Sequence, residues 1–296
     1  MDEREWLAEH FEEHRAHLKA VAYRMLGSLT EADDAVQDAW LRLSRSGASG
    51  IENLGGWRTT IVARVCLNML RSRNGRREEP LGAYVPDPII SFEDGAGPEH
   101  EALLADSVGL ALQVVLDTLA PAERLAFVLH DMFDVPFEEI APMVERSPDA
   151  ARQLASRARR RVRGLARAPD TELVAQRRVV DAFLAAARDG DLDALVAVLD
   201  PGVVLRADSG PARPRATRVV RGAIAVARSS LGGARRHPAA RLRPVLVNGA
   251  AGVIMLDGGQ PVAVWGITVA GGKIVEIDIL ADPERLRRVD LAILEG

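Results

Sequence analysis

Cysteine is nearly absent from this 296-residue chain, in which Cys66 stands alone. One thiol excludes an internal disulfide framework and any zinc site built from several cysteines, and it agrees with a reducing compartment. Lysine is almost as scarce: Lys19 and Lys273 are the only two among 38 basic residues. An arginine bias of that kind, with abundant alanine, is what a GC-rich genome produces, so the position of an arginine says more than the number. No apolar run is long enough to cross a bilayer, which predicts no membrane association. The N-terminus, MDEREWLAEHFEEH, is charged from its second residue, which argues against a secretory signal and for the cytoplasm. Length predicts two or three domains, and 48% hydrophobic residues suffice for their cores.

Changes in composition divide the chain. Residues 1–73 read as helical, and 74–98, rich in glycine and proline, read as a linker. Helical pattern resumes near Glu99 and runs to Leu165, which sets a second module at 99–167 and a short linker at 168–175. From Gln176 to the end at 296, two helical stretches precede alternating segments, with Gly271-Gly272 as a hairpin signal between two of them. The predicted fold class is multidomain: two all-α modules followed by an α+β domain.

Against a net charge of −4, residues 147–164 (SPDAARQLASRARRRVRG) carry six arginines and one acid, Asp149. On a helix, Ala151, Leu154, Ala155, Ala158, Val162 and Leu165 fall on one stripe, while Gln153, Ser156, Arg157 and Arg160 fall on another face. Upstream, FEEIAPMV (137–144) reads as a short helix and ERSP as a tight turn, with Ser147 as N-cap and Pro148 at the first helical position. Together they predict a helix-turn-helix. Arg152, Gln153, Ser156 and Arg157 are the candidates for base edges in a major groove, and Arg159, Arg160, Arg161 and Arg163 for phosphates. A solvated basic face is the plain alternative.

The N-terminal block holds EADDAVQDAWLRL (31–43), whose Ala32, Ala35, Val36, Ala39, Trp40 and Leu43 predict a core stripe. Asp34, Gln37, Asp38 and Leu41 form an acidic face with an exposed leucine, suited to a protein partner. In the next helix, GWRTTIVARVCLNMLRSR, the spacing buries Trp57, Ile61, Val65 and Met69 and turns Thr60, Arg64, Asn68 and Arg71 outward, with Arg73, Arg76 and Arg77 extending the basic edge. Polar and basic groups beside an aromatic suit single-stranded nucleic acid.

These blocks, with LDTLAPAERLAFVLHDMF between them, resemble in order and spacing regions two and four of the extracytoplasmic-function sigma factors. The resemblance implies binding to core RNA polymerase and transcription initiation at promoter DNA, with region two opening and contacting the minus-ten element and region four reading the minus-thirty-five duplex. It places Asp34, Gln37, Asp38 and Leu41 on the helix that docks on polymerase. Arg64, Asn68 and Arg71 then face the melted strand, and Arg152, Gln153, Ser156, Arg157 and Arg160 lie on the recognition helix.

Residues 176–296 resemble a SnoaL-like domain of the nuclear-transport-factor-two-like (NTF2-like) fold, which a subgroup of these sigma factors carries. YVPDP (Tyr84, Pro86, Asp87 and Pro88 among its residues) resembles that subgroup's linker motif, and ADPERL, with Asp282 and Pro283, a motif near its end. Of a third, glycine-rich motif only Asp208 and Gly210 match. The resemblance implies that this domain regulates in cis through contact with the sigma modules or linker, with YVPDP as docking segment and the pocket open to a small-molecule effector. No acid-base pair is visible from spacing, so no enzyme is expected, and no cofactor. His10, His14 and His17 with Glu13 lack a further metal ligand and read as a solvated helix. The competing readings are a helix-turn-helix regulator acting without polymerase and a fused SnoaL-like enzyme.

Overall fold

The computed structural model describes residues 3–46, 54–74, 83–91, 109–165 and 169–288. They form two compact units: 3–74 with 115–165, and 83–91 with 109–114 and 169–288.

The first unit is helical. α1 (Glu3–Glu12) and α2 (Arg15–Leu26) precede α3 (Leu29–Ser46) and α4 (Leu54–Asn74). α2 is central, with every side chain from Ala20 to Leu26 buried. It stops at Gly27, whose φ of 69° is the left-handed cap that glycine adopts without penalty and whose N–H bonds the Tyr23 carbonyl at 2.8 Å. On α3, Ala32, Ala35, Val36, Ala39 and Leu43 are buried as the spacing predicts, and half-buried Trp40 meets the Phe11 ring at 5.2 Å. α4 buries a wider face than expected. Val62, Ala63, Val65, Cys66, Leu67 and Leu70 are buried, whereas Ile61 and Met69 are only half-buried. The reason is that α4 packs against α2, α3 and a later helix at once. The side chain of Trp57, and Arg76 and Arg77, lie outside the described residues.

α5 (Leu110–Asp117) begins among the residues of the second unit and ends in the first, where it is followed by α6 (Pro121–Phe127), which runs into a π-helical turn, Val128–Met132. Then come α7 (Phe137–Ile140) and α8 (Pro148–Leu165). α7 is shorter than FEEIAPMV suggested, because Pro142 has no N–H to continue the ladder. The onset of helical pattern near Glu99 lies outside the described residues.

The second unit is α+β, so helical modules are followed by a sheet domain as the sequence predicts. Its strands are β1 (Ile90–Ser91), β2 (Leu199–Asp208), β3 (Arg218–Arg221), β4 (Arg241–Val247), β5 (Ala250–Asp257), β6 (Gln260–Ala270) and β7 (Lys273–Leu280), in the order β1-β4-β5-β6-β7-β2-β3. β2 and β7 run parallel; the other pairs are antiparallel. Two-residue turns at Asn248-Gly249, Gly258-Gly259 and Gly271-Gly272 all have positive φ, which matches the right-handed twist of hairpin strands. Asp170 accepts from the N–H groups of both Gly271 and Gly272, at 2.8 and 2.9 Å.

α9 (Leu173–Asp189), α10 (Leu192–Val198) and α11 (Ala223–Arg236) cover one sheet face, packing Val180, Phe183, Leu195 and Val226 on Val203, Leu205, Ile267 and Ile277. α11 was not foreseen from the sequence: Gly232 and Gly233 interrupt its pattern, and its buried set is only Val226, Ala227 and Ser230. The other face packs Val85, Ile90 and Leu110 with Val245, Val247, Val264, Leu280 and Leu286, the last from α12 (Pro283–Leu286). The described part of the 74–98 segment is therefore built into the sheet domain, with Ile90–Ser91 adding an edge strand to β4.

Candidate nucleic-acid interface and linker-docking site

α8 starts as the sequence directs. The Ser147 hydroxyl accepts from the Ala150 N–H at 3.3 Å, and Pro148 occupies the first turn. Ala151, Ala155 and Ala158 are fully buried against α6 and α7, Leu154 and Val162 are half-buried, and Leu165, placed on the stripe by its spacing, is exposed because the helix has by then outrun its support.

The exposed face divides into two kinds of residue. Gln153, Ser156 and Arg160 present side chains that bond to nothing among the described residues. Arg152 bonds Asp149 at 2.6 Å and sits 5.3 Å from the Phe137 ring, and Arg157 bonds Glu123 at 2.7 Å. Such exposed pairs contribute about 0–1 kcal/mol, so a phosphate or a guanine edge can displace them. Arg159 behaves differently from the free phosphate contact its position suggested. It forks onto Asp131 at 2.5 and 2.6 Å, and the hydrogen bond to that carboxylate holds its pKa above the ordinary arginine value. It ties α8 to the π-turn.

On α4, Arg64, Asn68 and Arg71 are exposed and line a cleft of about 310 Å³ with Leu67, Pro142, Met143 and Glu145. Arg73 does not extend this edge. It turns back to pair with Glu31 and to donate to the Leu26 carbonyl at 3.0 Å, one of the carbonyls left open at the end of α2. On α3, Asp34, Gln37 and Leu41 are exposed and Asp38 is half-buried, bonded to Arg42 at 2.8 Å. Leu41 exposes 44% of its surface.

The second unit gathers another cluster. Arg285, on α12, donates Nε to Asp87 at 2.6 Å, Nη1 to Asp208 at 2.8 Å and Nη2 to the Val85 carbonyl at 2.6 Å, with its guanidinium 5.0 Å from the Tyr84 ring. Asp208 also accepts from the N–H of Val85 at 3.2 Å and of Gly210 at 3.0 Å, so both of its oxygens are engaged. Burial works against the Arg285 charge, but Tyr84, Asp87 and Asp208 outweigh it and hold the group above its ordinary value. Val85, Pro86 and Pro88 are buried, and Asn248 exchanges two bonds with Ile89, at 3.1 and 2.7 Å. Asp282 caps α12 through the Glu284 N–H at 2.9 Å. Its carboxyl carbon lies 2.4 Å from where a Cβ on Gly210 would stand, and Gly210 has a φ of 73°, so only glycine fits there. Asp208, Gly210, Asp282 and Pro283 thus meet YVPDP in one place. Sequence reasoning missed Arg285 and Asn248. The first sits inside the quoted ADPERL, and the second opens an Asn-Gly hairpin signal.

Two family models match in order: Sigma-70 region 2 over residues 10–76, and Sigma-70, region 4 over residues 109–162. Among curated proteins, the ECF RNA polymerase sigma factor SigJ of Mycobacterium tuberculosis is 39% identical over 289 residues, 93% of this chain and 91% of that protein. The probable ECF RNA polymerase sigma factor SigI of the same species is 36% identical over 281 residues, 92% of each. The crystal structure of Mycobacterium tuberculosis SigJ superposes with a TM-score of 0.74 at 36% identity, covering 95% of this chain and 98% of that one. With both region models matched in order and relatives aligned over nearly their whole length, the chain belongs to the extracytoplasmic-function (ECF) RNA polymerase sigma factors.

Proposed function

We propose that this sigma factor docks on core RNA polymerase through Asp34, Gln37, Asp38 and Leu41 of α3, and brings two cationic helical surfaces to one promoter. Arg64, Asn68 and Arg71 contact the melted minus-ten strand. Gln153 and Ser156, joined by Arg152 and Arg157 once their surface pairs open, read the minus-thirty-five duplex, and Arg160 holds its phosphates. The division is region two at 1–73, a linker at 74–98, region four at 99–167, a short linker at 168–175 and a SnoaL-like regulatory domain at 176–296. The protein works in the cytoplasm, off the membrane.

The Arg285 cluster supports regulation in cis. Holding residues 83–91 on the sheet withholds nine residues from the connection between α4 and α5, and their release would return up to about 30 Å of reach. Docked, they limit how far the two promoter-binding surfaces can separate. A small-molecule effector would act by shifting this docking equilibrium. A regulatory rather than catalytic domain agrees with Asp208, which spends both oxygens on Arg285, the Val85 N–H of the linker and the Gly210 N–H. The stand-alone regulator and fused-enzyme readings gain no support from the matched relatives.

The observation that carries the reading is the pairing of an unpartnered Gln153-Ser156-Arg160 face with an acidic, leucine-bearing α3 in a chain that both sigma models match. The test is in vitro transcription with core polymerase and the promoter of the protein's own gene. Transcription that depends on the added protein, and is lost in Leu41→Glu together with holoenzyme assembly, is expected. Tight promoter binding without polymerase would overturn it.

A further inference from the structure

Between Asp208 and Asp257 the chain has no acidic residue for 48 positions, and the same stretch holds nine arginines. With 42 acids in 296 residues, about seven would fall there by chance. A GC-rich genome explains arginine in place of lysine but not the loss of every aspartate and glutamate. The stretch exceeds the recognition helix in positive charge, yet lies in the α+β unit.

The fold concentrates part of this charge. Arg218 and Arg221 belong to β3, and Arg228, Arg235 and Arg236 to α11, which packs against β3. Arg221, Arg228, Arg235 and Arg236 are exposed, and none of the five meets a carboxylate among the described residues. Arg228 and Arg235, seven apart, share one helix face. Arg218 bonds the Ser229 hydroxyl at 3.3 Å, and burial and then the Arg236 charge hold its pKa below the ordinary value. Like charges have therefore been assembled without internal compensation. Charges on β3 can be explained as protection of a sheet edge, but those on α11 cannot. Gly232 and Gly233 lie on α11 between Arg228 and Arg235, at about 1 kcal/mol each relative to alanine. Only the tip of Arg236 lies near the Cβ position of Gly232, at 3.8 Å, and nothing is within 4 Å of that of Gly233, so packing does not require either glycine. Absent side chains there leave room for a close backbone approach.

We infer that β3 and α11 form a third nucleic-acid contact, in which Arg221, Arg228, Arg235 and Arg236 bind the phosphate backbone of duplex DNA without reading sequence. Guanidinium forks match phosphate geometry, and an α11 face of 14 residues, about 20 Å long, spans several successive phosphates. The site lies in the α+β unit and uses no residue of the linker cluster or of the two sigma regions, so it extends the proposed function rather than resting on it.

The experiment uses the full chain and a short mixed-sequence duplex, with binding followed by fluorescence anisotropy through a salt titration. Removing two phosphate contacts with Arg228→Gln and Arg235→Gln is expected to lower the slope of log affinity against log salt by about 1.8. The same change at exposed Arg178 and Arg188 on α9 is expected to leave the slope alone. Thermal melting checks that both double variants fold. An unchanged slope in the folded α11 variant overturns the inference, as does an equal fall in both variants, which would mean a diffuse charge effect. Loss of holoenzyme assembly or of binding to an acidic peptide, with the duplex slope unchanged, would assign the patch to an acidic protein surface and overturn it as well. Assembly measured on the same variants separates failure here from failure of the sigma-factor reading.

Discussion

Arg124 of α6 caps the end of α2: its Nε and Nη2 both donate to the Arg24 carbonyl, at 3.0 and 2.8 Å, while Nη1 pairs with Asp117. The last carbonyls of a helix have no partner within it and carry its negative end, so a buried cation satisfies both needs at once. Arg73 does the same for Leu26. The region-two helix at the centre of the first unit is thus finished by an arginine from the region-four half.

Cys66 reports on that junction. It is fully buried on α4, and burial pushes its thiol up to about 12, against a smaller lowering by the Arg124 charge. At neutral pH the thiol is protonated and shielded, so a thiol reagent reaches it only when the helices separate. Arg124→Ala, which strands Asp117 and the Arg24 carbonyl, is expected to cost about 3 kcal/mol and to speed Cys66 labelling by 10-fold or more. Labelling as slow as in the parent protein would show that Arg124 does not hold the junction.

Breaking the Arg285 cluster is expected to free the linker without melting the sheet. Arg285→Ala leaves half-buried Asp87 and buried Asp208 without their cation, a loss of about 3 kcal/mol in the docked state. Asp87→Asn keeps a hydrogen-bond acceptor and is expected to cost about 1 kcal/mol. Limited proteolysis should then cut within residues 83–91 in Arg285→Ala, with Asp87→Asn intermediate. Gly210→Ala should resemble Arg285→Ala, since its Cβ collides with the Asp282 cap. Equal protection in all three would mean that the linker is held by Val85 and Ile90 packing alone.

A pH effect arises on the same sheet face. Arg206 bonds Asp278 at 2.9 Å and Glu276 at 3.3 Å, so two carboxylates share one cation. Both partners are raised, which favours the charged form of Arg206 but the neutral form of Asp278. Burial works against Arg206, but Asp278 and Glu276 outweigh it and raise its pKa; burial lifts Asp278 from 3.8 to about 6 despite Arg206. Burial prevails at Asp278 because that group is 1% exposed and has only a share of one guanidinium. A raised carboxyl contributes stability that is full below its unfolded value and lost as pH rises through its folded one. Relative to Asp278→Asn, the parent protein is expected to lose on the order of 3 kcal/mol between pH 4 and pH 6.5 and to change little above. Thermal melts of both proteins across that range test it, and a parent stability that stays level or rises with pH relative to Asp278→Asn would contradict it.

How much of this could be read from the chain depended on whether the signal was local. Ala151, Ala155 and Ala158 follow helical spacing, Ser147-Pro148 is a cap, and the Gly-Gly turns announce hairpins, so α8 and most of the sheet were legible. The Arg285–Asp87 contact joins positions 198 apart, and no periodicity links them; a resemblance to motifs located the neighbourhood but not the arginine. α11 escaped because two glycines weaken its pattern and only three of its side chains are buried. The wider buried face of α4 reflects packing against several helices, which one stripe cannot encode. Arg159 and Arg73 make contacts that spacing did not show, for one reason: a charge on an exposed-looking position is free only if no carboxylate or carbonyl from elsewhere reaches it.

That distinction separates three residues on α8. In holoenzyme bound to its promoter, Gln153→Ala removes an amide able to bond a base edge, so it is expected to lose about 1–3 kcal/mol on the cognate sequence and little on mismatched ones, with an unchanged salt slope. Arg160→Ala should weaken binding to all sequences alike and lower the slope by about 0.9, as loss of one phosphate contact requires. Arg159→Ala should leave the slope where it was, because its guanidinium is committed to Asp131, and should instead lower the melting temperature by a few degrees as α8 loosens from the π-turn. If Arg159→Ala lowered the slope as much as Arg160→Ala, the Asp131 fork would have to open on DNA, and the whole arginine face, rather than its unpaired part, would be the phosphate-binding surface.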